Sequence, residues 1–157
     1  MIMKVILPGS YDPITLGHLE VIRRASKLYD EVFVTVFVNP AKNYTFSLLE
    51  RLEMIRLATE DMGNIVVDSS DGYVVDYMSQ KGIDKIIKGY RNEVDLEYEK
   101  KQADYNFSHG GYETLLWQAD EKFSAISSTL ARECIQNGEC LSAILPEKVI
   151  SFIKSRR

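Results

Sequence analysis

Residues 32–38 read Val-Phe-Val-Thr-Val-Phe-Val, a run rich in β-branched and aromatic side chains and apolar on both faces. A strand of this kind needs cover on both sides, because neither alternating set of side chains suits water. That is the situation inside a parallel sheet flanked by helices, whereas a half-exposed antiparallel strand alternates apolar with polar residues.

The surrounding sequence supplies the other layers. Residues 4–7, 64–67, 85–88 and 113–119 predict four more strands. Helices are predicted over 19–29, over a stretch capped by Ser47 and running to 62, and over 73–80, 94–107, 127–136 and 146–153. Leu19, Ile22 and Ala25 recur at helical spacing in the first helix, as do Leu48, Leu52 and Ile55 in the second. Gly82, the Gly110-Gly111 pair and Gly138 mark helix ends, and Pro146 opens the last helix. Strand and helix alternate from the start, which argues for βαβ crossovers. The expected fold is α/β: a single-domain, Rossmann-like, parallel five-stranded sheet with helices on both faces. With 157 residues and no repeat, low-complexity tract or linker, residues 1–157 are expected to form one domain.

Open parallel sheets bind ligands beyond the carboxyl ends of their strands, where helix N-terminal amides face the occupant. The first such place here is Pro8-Gly9-Ser10-Tyr11-Asp12-Pro13-Ile14-Thr15-Leu16-Gly17-His18. Gly9 and Gly17 permit close backbone approach, and Thr15 offers an N-cap hydroxyl. His18 is placed to donate a hydrogen bond to an oxyanion. Lys42, in the loop after the second strand, is either a solvated surface charge or a compact cation that bridges the phosphates of two reactants. Lys88-Gly89-Tyr90-Arg91 ends the fourth strand with two cations around a glycine, the composition of a phosphate clamp. The acidic run Asp95-Leu96-Glu97-Tyr98-Glu99 begins the next helix, which suits its dipole. Phe123-Ser124-Ala125-Ile126-Ser127-Ser128-Thr129 precedes another helix, where hydroxyls cap and free amides make an anion site.

The string Pro-Gly-Ser-Tyr-Asp-Pro-Ile-Thr-x-Gly-His, with its HIGH-type ending at Gly17-His18, resembles the opening of the bacterial phosphopantetheine adenylyltransferases, a family of HIGH-type nucleotidylyltransferases. Phe46-Ser47-Leu48-Leu49-Glu50-Arg51, Asp95-Leu96-Glu97-Tyr98-Glu99 and Ile126-Ser127-Ser128-Thr129 resemble later segments of the same family in collinear order, so the likeness covers nearly the whole chain. It departs at Lys88, where the family motif Arg-Gly-x-Arg begins with Arg; Lys keeps the charge but lacks the bidentate fork.

The resemblance implies transfer of AMP from ATP to 4'-phosphopantetheine, giving dephospho-CoA and pyrophosphate in coenzyme A biosynthesis. The attack would be direct and in line, with no covalent enzyme intermediate. At the matched positions it implies catalytic roles for His18, Lys42 and Arg91, and acceptor binding by Ser10, Lys42, Val74 and Lys88. ATP contacts are implied for Ser10, Tyr11, His18, Gly89, Tyr90, Arg91, Glu99, Phe123, Ser124, Ala125, Ile126, Ser127, Ser128 and Thr129. It further implies Mg²⁺ arriving with ATP instead of on a protein ligand cluster, a homohexamer, coenzyme A as feedback inhibitor, and a cytoplasmic setting.

What the sequence lacks narrows the chemistry. No Walker A string and no Ser-His-Asp or Cys-His set is present, which disfavours γ-phosphate transfer and a protein nucleophile. A net charge of −4 argues against a nucleic-acid surface while leaving a small polyanion possible as ligand. No signal peptide or membrane span fits. Cys134 and Cys140 match no zinc or redox spacing, His109 reads as a loop residue, and Trp117 as packing. The alternatives are another HIGH-type nucleotidylyltransferase and a nucleotide-sensing module without turnover.

Overall fold

A computed structural model describes residues 2–156; Met1 and Arg157, the last residue of the basic tail, lie outside them. Strands β1 (Lys4–Gly9), β2 (Glu31–Phe37), β3 (Ile65–Ser70), β4 (Lys85–Tyr90) and β5 (Thr114–Gln118) form one parallel sheet in the order β3-β2-β1-β4-β5. The helices are α1 (Leu16–Leu28), α2 (Leu48–Thr59), α3 (Val74–Lys81), α4 (Glu93–Gly110), α5 (Ser128–Gln136) and α6 (Glu147–Ser155).

The period of two along the strands divides the core. Val5, Leu7, Val32, Val34, Val36 and Ile87 face one layer, which also takes in Ile22, Met54, Ile55, Ala131 and Val149 from α1, α2, α5 and α6. Ile6, Phe33 and Ile86 face the other, against Tyr77 and Met78 of α3. The doubly apolar run at 32–38 is explained by this: both faces of β2 are covered.

Three strands extend past their predicted ends, β1 to Gly9, β3 to Ser70 and β4 to Tyr90. Ladder pairing continues there, with Gly9 opposite Val36 and Ser69 opposite Val36 on its other side, although the side chains have stopped being apolar. Helix α1 starts at Leu16, directly after its Thr15 cap and three residues before the apolar pattern begins. Helix α2 ends at Thr59, short of the predicted 62. His109 is not in a loop: it lies in the last turn of α4 with its ring 3.8 Å from that of Tyr105. A 3-10 turn at Glu121–Phe123 was not anticipated.

From β1 the chain goes to β2 and β3 on one side, then returns to β4 on the other. The reversal leaves a crevice beyond the carboxyl ends of β1 and β4, the expected place for a ligand in such a sheet. Gly89 keeps the crevice narrow, since a Cβ there would lie 3.0 Å from Val21 Cγ2 of α1.

Candidate active site

The turn after β1 is shaped by Tyr11. Its backbone is left-handed (φ 49°), a conformation that costs a non-glycine residue roughly 1–2 kcal/mol. The side chain is buried, and its hydroxyl donates to the Leu7 carbonyl at 2.8 Å. The ring folds back over Gly9, where a Cβ would lie 3.1 Å from Tyr11 Cε2, and its centroid is 4.9 Å from that of the His18 ring.

His18 and Thr15 cap α1 reciprocally. Thr15 Oγ1 accepts the His18 N–H at 3.3 Å, and His18 Nδ1 accepts the Thr15 N–H at 3.0 Å. With Nδ1 used as an acceptor, the neutral ring carries its proton on Nε2. Desolvation first, and then the nearby charges of Lys88 and Arg91, push the His18 pKa down to about 4. The ring is therefore a neutral hydrogen-bond donor at pH 7.

A cavity of about 310 Å³ opens over the crevice, and His18 lines it. Its walls bring together Ser10, Tyr11, Thr15 and Gly17 from the first turn, Lys88, Gly89, Tyr90 and Arg91 from the end of β4, Asp95 and Glu99 from α4, and Phe123, Ile126, Ser127 and Ser128 from the approach to α5. A second cavity of about 320 Å³ shares Pro8, Gly9, Ser10, Lys88 and Glu99 with the first. It continues between the sheet and α4, past Phe37, Val74, Tyr98, Gln102 and Asn106.

Each cation of the clamp is held by a carboxylate. Lys88 Nζ donates to the Pro8 carbonyl at 3.1 Å and lies 3.3 Å from Glu99 Oε2. The other oxygen of Glu99, Oε1, is buried without a partner. Arg91 makes a forked contact with Asp95, Nε to Oδ2 at 2.9 Å and NH2 to Oδ1 at 3.3 Å. Asp95 thus does more than complement the helix dipole: it orients Arg91 at the cavity wall. At α5, Ser127 Oγ accepts the Leu130 N–H at 3.0 Å, and Ser128 Oγ donates to the Pro13 carbonyl at 2.8 Å. That bond docks the α5 N-terminus onto the first turn, so two helix N-termini border one space.

Val74 borders the second cavity, whereas several other predicted residues line neither. Lys42 is exposed and absent from both walls; its ammonium is 5.6 Å from the Tyr44 ring centroid. Ser124, Ala125 and Thr129 are also absent from the walls. Ser124 Oγ donates to Glu121 O at 2.8 Å, and Thr129 Oγ1 accepts from Arg132 at 3.1 Å. The reading of the sequence missed Tyr98, Gln102 and Asn106. Their spacing of four along α4 is the signal that places them on one stripe.

Among the described residues, no group of three or more His, Cys, Asp or Glu side chains is arranged to hold a metal ion. The two carboxylates on the first cavity's wall are each paired with a cation. Both cysteines are free thiols, Cys134 buried and Cys140 exposed. No described helix is long and apolar enough to cross a membrane. What the arrangement offers is a neutral N–H donor, two oriented cations, hydroxyls and helix N-terminal amides around one cavity, suited to holding phosphates.

Comparisons agree with this chemistry. The cytidylyltransferase-like family matches residues 6–134. A phosphopantetheine adenylyltransferase of Clostridium novyi is 43% identical over 149 residues, 94% of this chain and 92% of the relative. Those of Corynebacterium efficiens and Streptomyces coelicolor are 41% and 40% identical, each over 98% of this chain and over 98% and 96% of their own lengths. Among solved structures, a Vibrio parahaemolyticus protein described as a nicotinate-nucleotide adenylyltransferase superposes with a TM-score of 0.70 at 16% identity, covering 98% of this chain and 93% of that one. At that identity the likeness speaks for the fold alone.

Proposed function

The chain belongs to the phosphopantetheine adenylyltransferases, within the cytidylyltransferase-like family, and from that membership we propose that it transfers AMP from ATP to 4'-phosphopantetheine. Dephospho-CoA and pyrophosphate are the products, and the step belongs to coenzyme A biosynthesis. The observation that carries the reading is the joined pair of cavities. The one holding His18, Arg91 and the α5 N-terminus suits a nucleoside triphosphate, and the one reaching Val74 along α4 suits an extended arm.

The reaction brings two anions together, so the site has to counter their repulsion. Ser10 and Lys88, at the boundary of the cavities, hold the incoming acceptor phosphate, and Lys42, which lines neither cavity as its exposed side chain stands, joins them by swinging inward from the neighbouring loop. The acceptor oxygen attacks the α-phosphorus in line with the departing pyrophosphate. His18 Nε2–H and Arg91 stabilise the charge that grows there, and Phe123, Ile126, Ser127 and Ser128 with Glu99 receive the nucleotide. Positioning and preorganised donors supply the acceleration, with no protein nucleophile.

Mg²⁺ enters as part of the ATP substrate. The chain acts as one domain, residues 1–157, in the cytoplasm, with coenzyme A as feedback inhibitor and a homohexamer as the assembled form. An assembly is consistent with α4, which leaves Val94, Tyr98, Tyr105 and Phe107 exposed. Purified protein incubated with Mg-ATP and 4'-phosphopantetheine is expected to release pyrophosphate in step with dephospho-CoA. Turnover with a different phosphorylated acceptor only would replace this substrate, and ATP binding without pyrophosphate from any acceptor would leave a sensing module.

A further inference from the structure

Asp12 is 5% exposed, and both of its carboxylate oxygens are used by a distant loop. Oδ2 accepts the Thr45 N–H and Oδ1 the Phe46 N–H, each at 2.9 Å. Its carbonyl accepts from Arg132 of α5 at 2.8 Å, and the same guanidinium lies 3.9 Å from Oδ2. Beside it Arg51, 2% exposed, donates to the carbonyls of Ser10 at 3.0 Å and Phe46 at 3.2 Å, with its guanidinium carbon 4.0 Å from the Tyr44 ring centroid.

A buried carboxylate is costly unless every oxygen is met, and here the partners are two consecutive backbone amides and a cation. Helix capping does not explain them, because α2 is capped by Ser47 and Glu50. The bonds instead tie the turn after β1 to the far limb of the loop that carries Lys42. The near limb is held by β2 and by the Lys42 N–H donating to Asn39 O at 3.0 Å, and it is joined to the far limb by the Asn39 N–H, which donates to the Tyr44 hydroxyl at 3.0 Å.

We propose that Asp12 is a positioning residue for Lys42, anchoring the Tyr44–Phe46 limb beside Ser10 so that the Lys42 ammonium samples the acceptor side of the site. This rests on Lys42 as a ligand of the acceptor phosphate. Asp12 lines neither cavity, and Arg132 and Ser128 join the same turn to the nucleotide side.

The test combines exchange and kinetics. In the unaltered protein the Thr45 and Phe46 amides are expected to exchange at least about tenfold more slowly than that of Asn43. Equal rates would overturn the clamp, whatever any variant does. Asp12→Asn, which keeps the shape but can accept only one amide well, is expected to speed exchange at Thr45 and Phe46. It should raise KM for 4'-phosphopantetheine about tenfold while leaving that for ATP within about twofold. A purely structural role would instead lower kcat with both KM values unchanged, or shift both alike, and either result would overturn the proposal. In a Lys42→Ala background, Asp12→Asn should add less than about twofold; full additivity would show that Asp12 does not act through Lys42. Unchanged acceptor KM in Lys42→Ala alone would remove the underlying reading and the positioning role with it. Loss of the clamp alone would leave the Lys42→Ala effect standing.

Discussion

At His18, opposite edges of one ring make the bond that closes the first turn of α1 and the bond left for a reactant. Nδ1 is committed to the Thr15 N–H, so Nε2 is the edge that donates. Replacing His18 with Ala removes a preorganised oxyanion donor, and kcat is expected to fall on the order of 10²–10³-fold with ATP still bound. Turnover near normal would remove His18 from the chemistry. The depressed pKa also has a stability consequence. Between the ordinary value near 6.5 and the folded value of about 4, the unfolded chain takes up a proton that the folded chain refuses. Stability is therefore expected to decline as pH falls from 6.5 toward 4, and His18→Gln should flatten that part of a Tm-against-pH curve. A titration midpoint for the His18 ring near 6.5, followed by NMR, would contradict the assignment.

At the scale of elements, the decisive pieces are helix ends. Ser127→Ala removes the α5 cap on the Leu130 N–H, and a loss of about 1 kcal/mol is expected in urea unfolding, with KM for ATP raised. A variant with wild-type stability and affinity would show that the cap does not hold the N-terminus in place. Asp95→Ala frees Arg91, and kcat/KM is expected to drop by about tenfold, checked against Asp95→Asn, which retains one oxygen of the fork.

Much at this scale was legible. The strands announced themselves through β-branched runs, the helices through apolar spacing, and Thr15 and Ser47 as caps. What was not legible lies where backbone and side-chain logic part. Gly9, Ser70 and Tyr90 continue strands that their side chains no longer signal. Leu16-Gly17-His18 are helical because of the cap, ahead of any periodicity. Lys42 is the clearest case at the site: its loop could be placed at the end of β2, but the direction of a flexible side chain at an exposed tip is not encoded in local pattern. Asp12 and Arg51 were unreadable for the opposite reason, since their partners are fixed only by tertiary packing.

For the whole molecule, the sheet order decides where parts meet. Segments near residues 10, 90, 99 and 128 converge because the strand order reverses between β1 and its parallel neighbour β4. Assembly is tested at the same scale. Light scattering is expected to give a hexamer, and Val94→Glu with Phe107→Glu, at side chains 78% and 62% exposed on α4, should lower its mass without unfolding the chain. A monomer in the unaltered protein would sink that expectation. The two cavities, finally, have one partition, built from the end of β1 and Ser10 with Lys88 and Glu99. A bond made across it would leave one molecule seated in both chambers once pyrophosphate has departed, so that a single association step serves two sets of contacts. Its escape is expected to be the slow part of the cycle, which a pre-steady-state burst of pyrophosphate would reveal and its absence would contradict.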